Sequence, residues 1–557
     1  MKKLLITLAV LLIFTFSITS CGTTSSTSPI SPTSQVTTPS VTTPAVITPK
    51  TTAPASAQST SSIPSPLAAP MAASGTPSKY GGVLRFIEAS GPAAPIGYPA
   101  ESGGGGNQFA LQPMIKEQLG GTFTPCLATS YDTSTDPKNA SITLHLRQGV
   151  KFQDGTDFNA KALKWNLDVV TTVGMNKSAT DTWKSTEVLD DYTLRINLTY
   201  WSNALVRIMS SGVVFCVSPT AFQKNGIDWM RWNMVGTGPL VEKEFKRDVS
   251  ITYTRNPNYW ETGKPYLDGL QELFVADPLT RTALFKSGGG EILNMADDGR
   301  TANQLKSLGF DILTFQAGAT ALVPDSANAD SPWSNIKVRQ AAEYSIDKDS
   351  IVNALGFGYW KSAYQLNSPG NMSFDSSIEG RKYDVAKAKQ LLAEAGYPNG
   401  FKTTIIAQNT FNRDCVVALQ SYLSKVGIQA DIQLPEGASY TDLQLGKFHN
   451  ALFLITLQEW ANANTQFSTY WGTPSNYFKN VSKPQGWSDA LTASQNTPAA
   501  DPASTKKLEN MAYNDTMAIP VYYGATLWAL TNKTHDTGLG TRGNAAWFEP
   551  QNAWLSP

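Results

Sequence analysis

The 557-residue chain is short of the side chains that most chemistry needs. Its histidines number three (His145, His449 and His535, far apart) and its cysteines four: Cys21, Cys126, Cys216 and Cys415. Neither an HExxH pair nor the Cys/His spacing of a zinc site can be written from them, so resident metal or cofactor chemistry has no support. No GxSxG elbow occurs, which leaves an exported hydrolase, the third rival reading, without a nucleophile constellation. Charge is scarce and balanced, with 16% charged residues and 44 Lys+Arg against 44 Asp+Glu. Without a basic surplus or a polybasic run the chain lacks the electrostatic footprint of a nucleic-acid binder.

What is present is a globular composition, 41% hydrophobic, in a chain too long for one core, so two or three domains are expected. Residues 1–20 hold Lys2 and Lys3, an apolar run from Leu4 to Ile18, and small polar residues. That run is shorter than the ~20 residues that span a bilayer and reads as an export signal. Ile18-Thr19-Ser20-Cys21 resembles the lipobox of bacterial lipoproteins, which implies lipidation at Cys21. Residues 21–78 are dominated by Ser, Thr, Pro and Ala, cannot bury enough surface to offset ordering entropy, and read as a linker. Export permits disulfides. Either Cys126 and Cys216 pair, or the three remaining cysteines are buried free thiols.

Two glycine patterns are decoys. Gly103–Gly106 has no Gly-Lys-Ser/Thr after it and reads as a loop. Gly538-Leu-Gly540-Thr-Arg-Gly543 satisfies GxGxxG, but the short tail beyond it leaves no room for further βα units, so it too reads as a loop.

The most informative stretch is Val235–Trp260. Gly236, Gly238 and Pro239 mark a change of direction. Val249, Ile251 and Tyr253 alternate with polar residues at strand period, Lys246-Arg247-Asp248 supplies a turn, and Asn256-Pro257-Asn258 ends the pairing. Elsewhere Ile142, Leu144 and Leu146 alternate as a strand that places His145 on the solvent side, and Asn159 precedes a helix with Leu163, Leu167 and Val170 on one face. Asp347 and Asp384 are placed as N-caps, Gly396 as a helix stop, and Ala451–Leu457 as a buried strand.

The wording GTGP, RNPNYW and GKPYLD resembles the extracytoplasmic solute-binding proteins of peptide/nickel-type ABC importers. So do Ser141–Val170, Pro332–Leu355, Tyr383–Phe401 and Ala518–Tyr523, in the same order. The resemblance implies an α/β two-lobed periplasmic-binding-protein (Venus flytrap) fold with an extra subdomain inserted in the first lobe. Its expected boundaries are 79–112, 233–316 and 521–557 for lobe 1, 113–232 for the insertion and 317–520 for lobe 2. Hinges are expected near Trp232–Gly238 and Ile312–Leu322.

The family's peptide binders carry a Trp at a cleft-facing strand end and, shortly after, an aspartate for the ligand's ammonium. Here Trp460 matches the Trp, Asn462 stands at the aspartate position, and Glu459 is the nearest carboxylate. The resemblance thus points to Glu459, Trp460, Asn462, Asn464, Tyr470 and Trp471 as ligand-binding. It implies a monomer, lipid-anchored on the extracytoplasmic face, which delivers peptides to an ABC permease and ATPase complex. Two rivals stay open: the same fold binding an oligosaccharide, suited by 14 tryptophans and Asn/Gln in place of an acid, or an anchored receptor without transport.

Overall fold

The computed structural model describes residues 79–92, 95–98, 107–172, 180–472, 477–540 and 548–557. The export signal, Cys21, the linker, Gly103–Gly106 and Gly543 lie outside them. Numbering the principal strands in chain order, β1 is Val83–Glu88, β2 Leu240–Lys246, β3 Ser250–Arg255, β4 Gly269–Phe274, β5 Ile292–Ala296 and β6 Asp311–Pro324. Further along, β7 is Phe401–Ile406, β8 Ile428–Gln433, β9 Ala451–Leu457 and β10 Ile519–Leu530. They form one sheet in the order β8-β7-β9-β6-β10-β5-β1-β4-β3-β2, with Lys361–Ser362 added beside β10. The two long strands β6 and β10 are its spine: they pair antiparallel from Asp311↔Leu530 to Leu322↔Ile519. One end of β10 also pairs with β5, and the other end of β6 with β9.

Everything between β1 and β2 is an excursion from this sheet. Its centre is a second, four-stranded antiparallel sheet made of Ala128–Ser134, Ser141–Leu146, Thr193–Leu198 and Trp183–Asp190. Against it packs α1 (Ala160–Thr172), which starts where Asn159 Oδ1 accepts from the Ala162 N–H at 3.0 Å. Ile142, Leu144, Leu163, Leu167, Leu194 and Ile196 form its core, all fully buried. The GTGP segment is where this excursion closes. A Cβ on Gly236 or Gly238 would stand 2.3 or 2.6 Å from the Ala110 carbonyl oxygen, so only glycine permits the approach. Gln153 spans the closure, accepting from the Gly236 N–H at 3.1 Å and donating to the Leu240 carbonyl at 2.8 Å. The following hairpin is β2 and β3, but Val249 is 57% exposed: it belongs to the turn with Asp248, whose φ of 58° reverses the chain. Only Ile251 and Tyr253 supply the buried face. His145 is half exposed and 2.8 Å from Asp132. Cys126, Cys216 and Cys415 are all buried and none is in a disulfide, so Cys126 and Cys216 are not bridged.

α2 (Gly299–Ser307) packs against β1, β5 and the end of β10 through Ala302 and Leu305. The other half of the sheet carries α3 (Ile336–Ser345), α4 (Lys348–Leu355), α5 (Val385–Glu394), α6 (Arg413–Ser424), α7 (Ala463–Trp471), α8 (Trp487–Gln495) and α9 (Pro502–Asp515). Asp347 and Asp384 cap α4 and α5 through the Ser350 and Lys387 N–H groups, and Gly396 ends α5 at φ 89°. Between α3 and α4 lies a buried ion triad. Glu343 receives Lys348 Nζ at 3.0 Å and Arg381 Nη1 at 2.8 Å, with Glu343 and Lys348 1% exposed. Burial pulls the Lys348 pKa down, and Glu343 opposes that shift. Lys348 also donates to the Ala363 carbonyl and Arg381 to that of Tyr513, so the triad fixes the chain around β10. Glu343→Ala strands two buried cations and should cost about 3–5 kcal/mol of unfolding free energy. Urea denaturation checks this; a loss below about 1 kcal/mol would mean that water reaches the triad.

Candidate functional site

A cavity of about 460 Å³ lies over the β6–β10 spine. Its floor is Ala317 and Thr320 of β6 with Tyr522, Gly524, Ala525 and Thr526 of β10. One wall is Ala296 and Asp297 at the end of β5. The opposite wall comes from the Gln408–Asn412 loop before α6, from Tyr440 and Gln444, and from Ile455, Thr456 and Gln458 at the end of β9. Tyr470 of α7 completes it. The lining therefore draws on seven separated stretches of chain that the strand order brings together.

Hydroxyls, amides and rings dominate this surface, and no Lys, Arg or His is among the lining residues. Burial pushes the Tyr470 phenol up to about 12 and the Tyr440 and Tyr522 phenols well above the ordinary value, so all three stay neutral donors at neutral pH. Tyr522 is further fixed by stacking on Trp360, ring centroids 3.9 Å apart. Apart from Asp297, such a surface hydrogen-bonds an extended polar solute through uncharged groups. Among the described residues no group of three or more His, Cys, Asp or Glu is placed to hold a metal.

Of the six residues expected to bind ligand, Tyr470 borders this cavity. Trp471 is fully buried core, its carbonyl accepting from Trp487 Nε1 at 2.9 Å. Glu459 holds the Ser368 backbone N–H and hydroxyl, each at 3.0 Å, with its carboxyl raised by burial. Trp460 is 8% exposed and lies under the Arg207 guanidinium, 5.1 Å from the ring centroid. Asn462 caps α7 by accepting from the Asn464 N–H at 3.0 Å, and its amide donates to Asn203. Asn464 donates both to Asn203 Oδ1 and to the Ser494 carbonyl. Trp460, Asn462 and Asn464 therefore lie where the excursion between β1 and β2 meets α7 and α8.

Asn203 is the centre of that junction. Its backbone N–H donates to the Gln495 carbonyl at 2.8 Å, and its amide to Ser494 O at 2.8 Å and Thr497 Oγ1 at 3.1 Å. Trp201 Nε1 reaches the Thr497 carbonyl at 2.9 Å. Asn203→Ala leaves several buried partners unpaired and should cost about 1–3 kcal/mol. Hydrogen exchange should quicken together at residues 201–205 and 494–497; an unchanged rate at either segment counts against a shared junction.

The residues that sequence reasoning missed include Asp297, Gln408, Asn412, Tyr440 and Thr456, none of which carries a local motif. Tyr522 lies in the Ala518–Tyr523 stretch, which stands out in the sequence only for its family resemblance. A second carboxyl was missed as well. Glu509 of α9 is fully buried, accepting from the Leu366 N–H at 2.5 Å and from Asn367 Nδ2 at 2.9 Å. Burial, with Glu459 nearby, pushes it up to about 7.

The comparisons with known proteins agree with this architecture. Residues 122–488 match the model of bacterial extracellular solute-binding proteins, family 5. The chain belongs to that family. It is a solute-binding protein rather than an enzyme, of a family described as extracellular. The chain is 30% identical over 311 residues to the glutathione-binding protein GsiB of Escherichia coli O1:K1, an alignment covering 55% of this chain and 60% of that one. The periplasmic binding protein DppA from Helicobacter pylori, solved with the peptide STSA, superposes with a TM-score of 0.73 at 23% identity. The match covers 86% of this chain and 99% of that one. A dipeptide-binding protein from Pseudoalteromonas sp. SM9913, solved with Met-Leu, gives 0.73 at 20% identity, covering 86% and 100%. The fold is thus the two-lobed α/β fold of periplasmic binding proteins.

Glu509 generates a pH dependence. Its folded pKa lies above the unfolded value, so the native state holds the extra proton between about pH 4.5 and 7, and stability falls as pH rises through that window. The contribution is roughly 3 kcal/mol at 1.36 kcal/mol per pH unit. Urea denaturation at pH 5 and pH 7.5 should show it, and Glu509→Gln should flatten the slope; an equal slope in the variant would assign the effect to other carboxyls.

Proposed function

We propose that the protein is the membrane-tethered receptor of an ABC importer for peptides or peptide-like solutes. It closes two lobes over its ligand and hands it to a permease and ATPase complex. The observation that carries this reading is the cavity's position, on the two strands shared by both halves of the sheet and walled by both. Its volume of about 460 Å³ falls in the ~300–1,000 Å³ range of solute pockets. The amides and hydroxyls that make up most of the lining suit the backbone of an extended peptide, with pockets for its variable groups. Relatives named for glutathione and dipeptides, and a neighbour solved with a peptide, support the substrate class.

On this reading 79–112, 233–316 and 521–557 make lobe 1, 113–232 its inserted subdomain and 317–520 lobe 2. The segments where β6 and β10 pass between the lobes are the hinges. Ile18-Thr19-Ser20-Cys21 supports acylation at Cys21, with residues 22–78 as a tether holding a monomeric receptor at the extracytoplasmic face. The absence of cations from the lining also suits sugar hydroxyls, so cello-oligosaccharides are the matched control. A peptide ligand at 100 times its Kd should add about 2.7 kcal/mol to the unfolding free energy and raise the melting temperature. Thermal denaturation with peptide pools and with cello-oligosaccharides decides: stabilisation by sugars with silence from peptides overturns the reading.

A further inference from the structure

Among the described residues, one carboxylate in the cavity has no counter-charge. β5 pairs with β10 through Ile292, Leu293 and Asn294, then slips by one residue so that Ala296 faces Leu527. At the slip Ala296 takes φ 52°, a left-handed conformation that a residue with a Cβ adopts at a cost. A bulge of this kind re-aims the next side chain. Here that side chain is Asp297, which it delivers to the cavity wall. The neighbouring Asp298 is occupied as the N-cap of α2, accepting from the Thr301 N–H at 3.0 Å. Asp297 is not engaged in that way. Its carboxylate is approached by its own backbone N–H, and its one resolved charged neighbour is Asp298, of the same sign. It is exposed at the cavity wall, and desolvation by the protein around it raises its pKa.

The remaining lining offers hydroxyls, amides and rings but no cation. The Glu459 oxygens, the other candidates for an amine, are each taken by Ser368. A ligand bearing a cationic nitrogen would supply what the cavity lacks, whereas a neutral or anionic group would leave the carboxylate unpaired. We propose that Asp297 is the anchor for a positively charged nitrogen of the ligand, either a peptide α-ammonium or a basic side chain.

This assignment rests on the peptide reading above, and the test separates the two. Three equimolar pools of peptides of two to five residues are offered to the intact protein and scored by native mass spectrometry and calorimetry. One pool has free N-termini and no basic side chains, one is the same set N-acetylated, and one is N-acetylated with a single lysine. Wild type should prefer the first or the third pool over the second by about tenfold or more. The preferred pool tells α-ammonium from side-chain cation. Asp297→Asn, nearly isosteric, should abolish the preference while keeping the melting temperature, and Asp297→Glu should restore part of it. Equal binding of all pools by wild type, or a preference that survives Asp297→Asn, overturns the assignment and leaves the peptide reading standing. Binding of no pool overturns the peptide reading, and the assignment with it.

Discussion

The antiparallel ladder between β6 and β10 governs the rest of the molecule, because it is the part of the main sheet that neither half owns alone. Paired from Asp311↔Leu530 to Leu322↔Ile519, it forces every element before β6 to one side and every element between β6 and β10 to the other. The ladder is not regular. Its register shifts between Gln316 and Gly318, where the chain runs at φ 106° and a Cβ would lie 2.2 Å from the Leu457 carbonyl oxygen. A residue other than glycine there would push β9 away from the spine. The irregularity falls beside Ala317, in the cavity floor, so the same distortion that bends the spine also shapes the site.

Carboxyl groups hold the chain between Lys361–Ser362 and α7 in place. The segment from Gln365 to Ser368 runs from Lys361–Ser362, beside β10, towards α7, and it has little regular structure of its own. Its polar groups are met from three directions: by the Tyr523 hydroxyl, which reaches the Gln365 and Asn367 carbonyls, by Glu509 of α9, and by Glu459 after β9. Two buried carboxyls so close together disfavour each other's ionisation, which is one reason the Glu509 pKa is high. The arrangement is tolerable because each oxygen accepts a hydrogen bond, and an apolar replacement would leave the backbone N–H groups of the segment orphaned.

Much of the frame was legible in the chain because it is written locally. Period-two alternation located the Ser141–Leu146 strand, a continuous apolar run located β9, and side chains that cap their own helices located α1, α4 and α5. The glycines of GTGP marked a change of direction, but not the close approach they make to the carbonyl of Ala110, far earlier in the chain. The site was less legible for the same reason. Asp297, Gln408 and Thr456 are ordinary residues in their local context, and only the non-sequential strand order puts them around one space. Asn462 shows the other limit: a position singled out by family likeness serves here as a helix cap and a bridge to Asn203. Nothing in its neighbours foretold that, since Asn203 lies in the excursion from the first half.

The distribution of polar character around the cavity explains how binding can move the lobes. The carboxylate comes from the end of β5, on one side of the spine. The neutral amides and hydroxyls of Gln408, Asn412, Thr456 and Gln458 come from the other. A solute reaching both sides interacts with both halves only when they stand close, so its contacts differ between open and closed arrangements. That difference is the only quantity by which a ligand can shift such an equilibrium. Tight binding to either wall alone would fill the cavity without favouring closure. The neutral wall matters in the same sense: hydrogen bonds to uncharged groups contribute about 0.5–1.5 kcal/mol each, enough when several act together and weak enough to be surrendered one at a time. A wall of fixed cations would instead hold an anionic ligand from one side, and the ligand would no longer link the two halves.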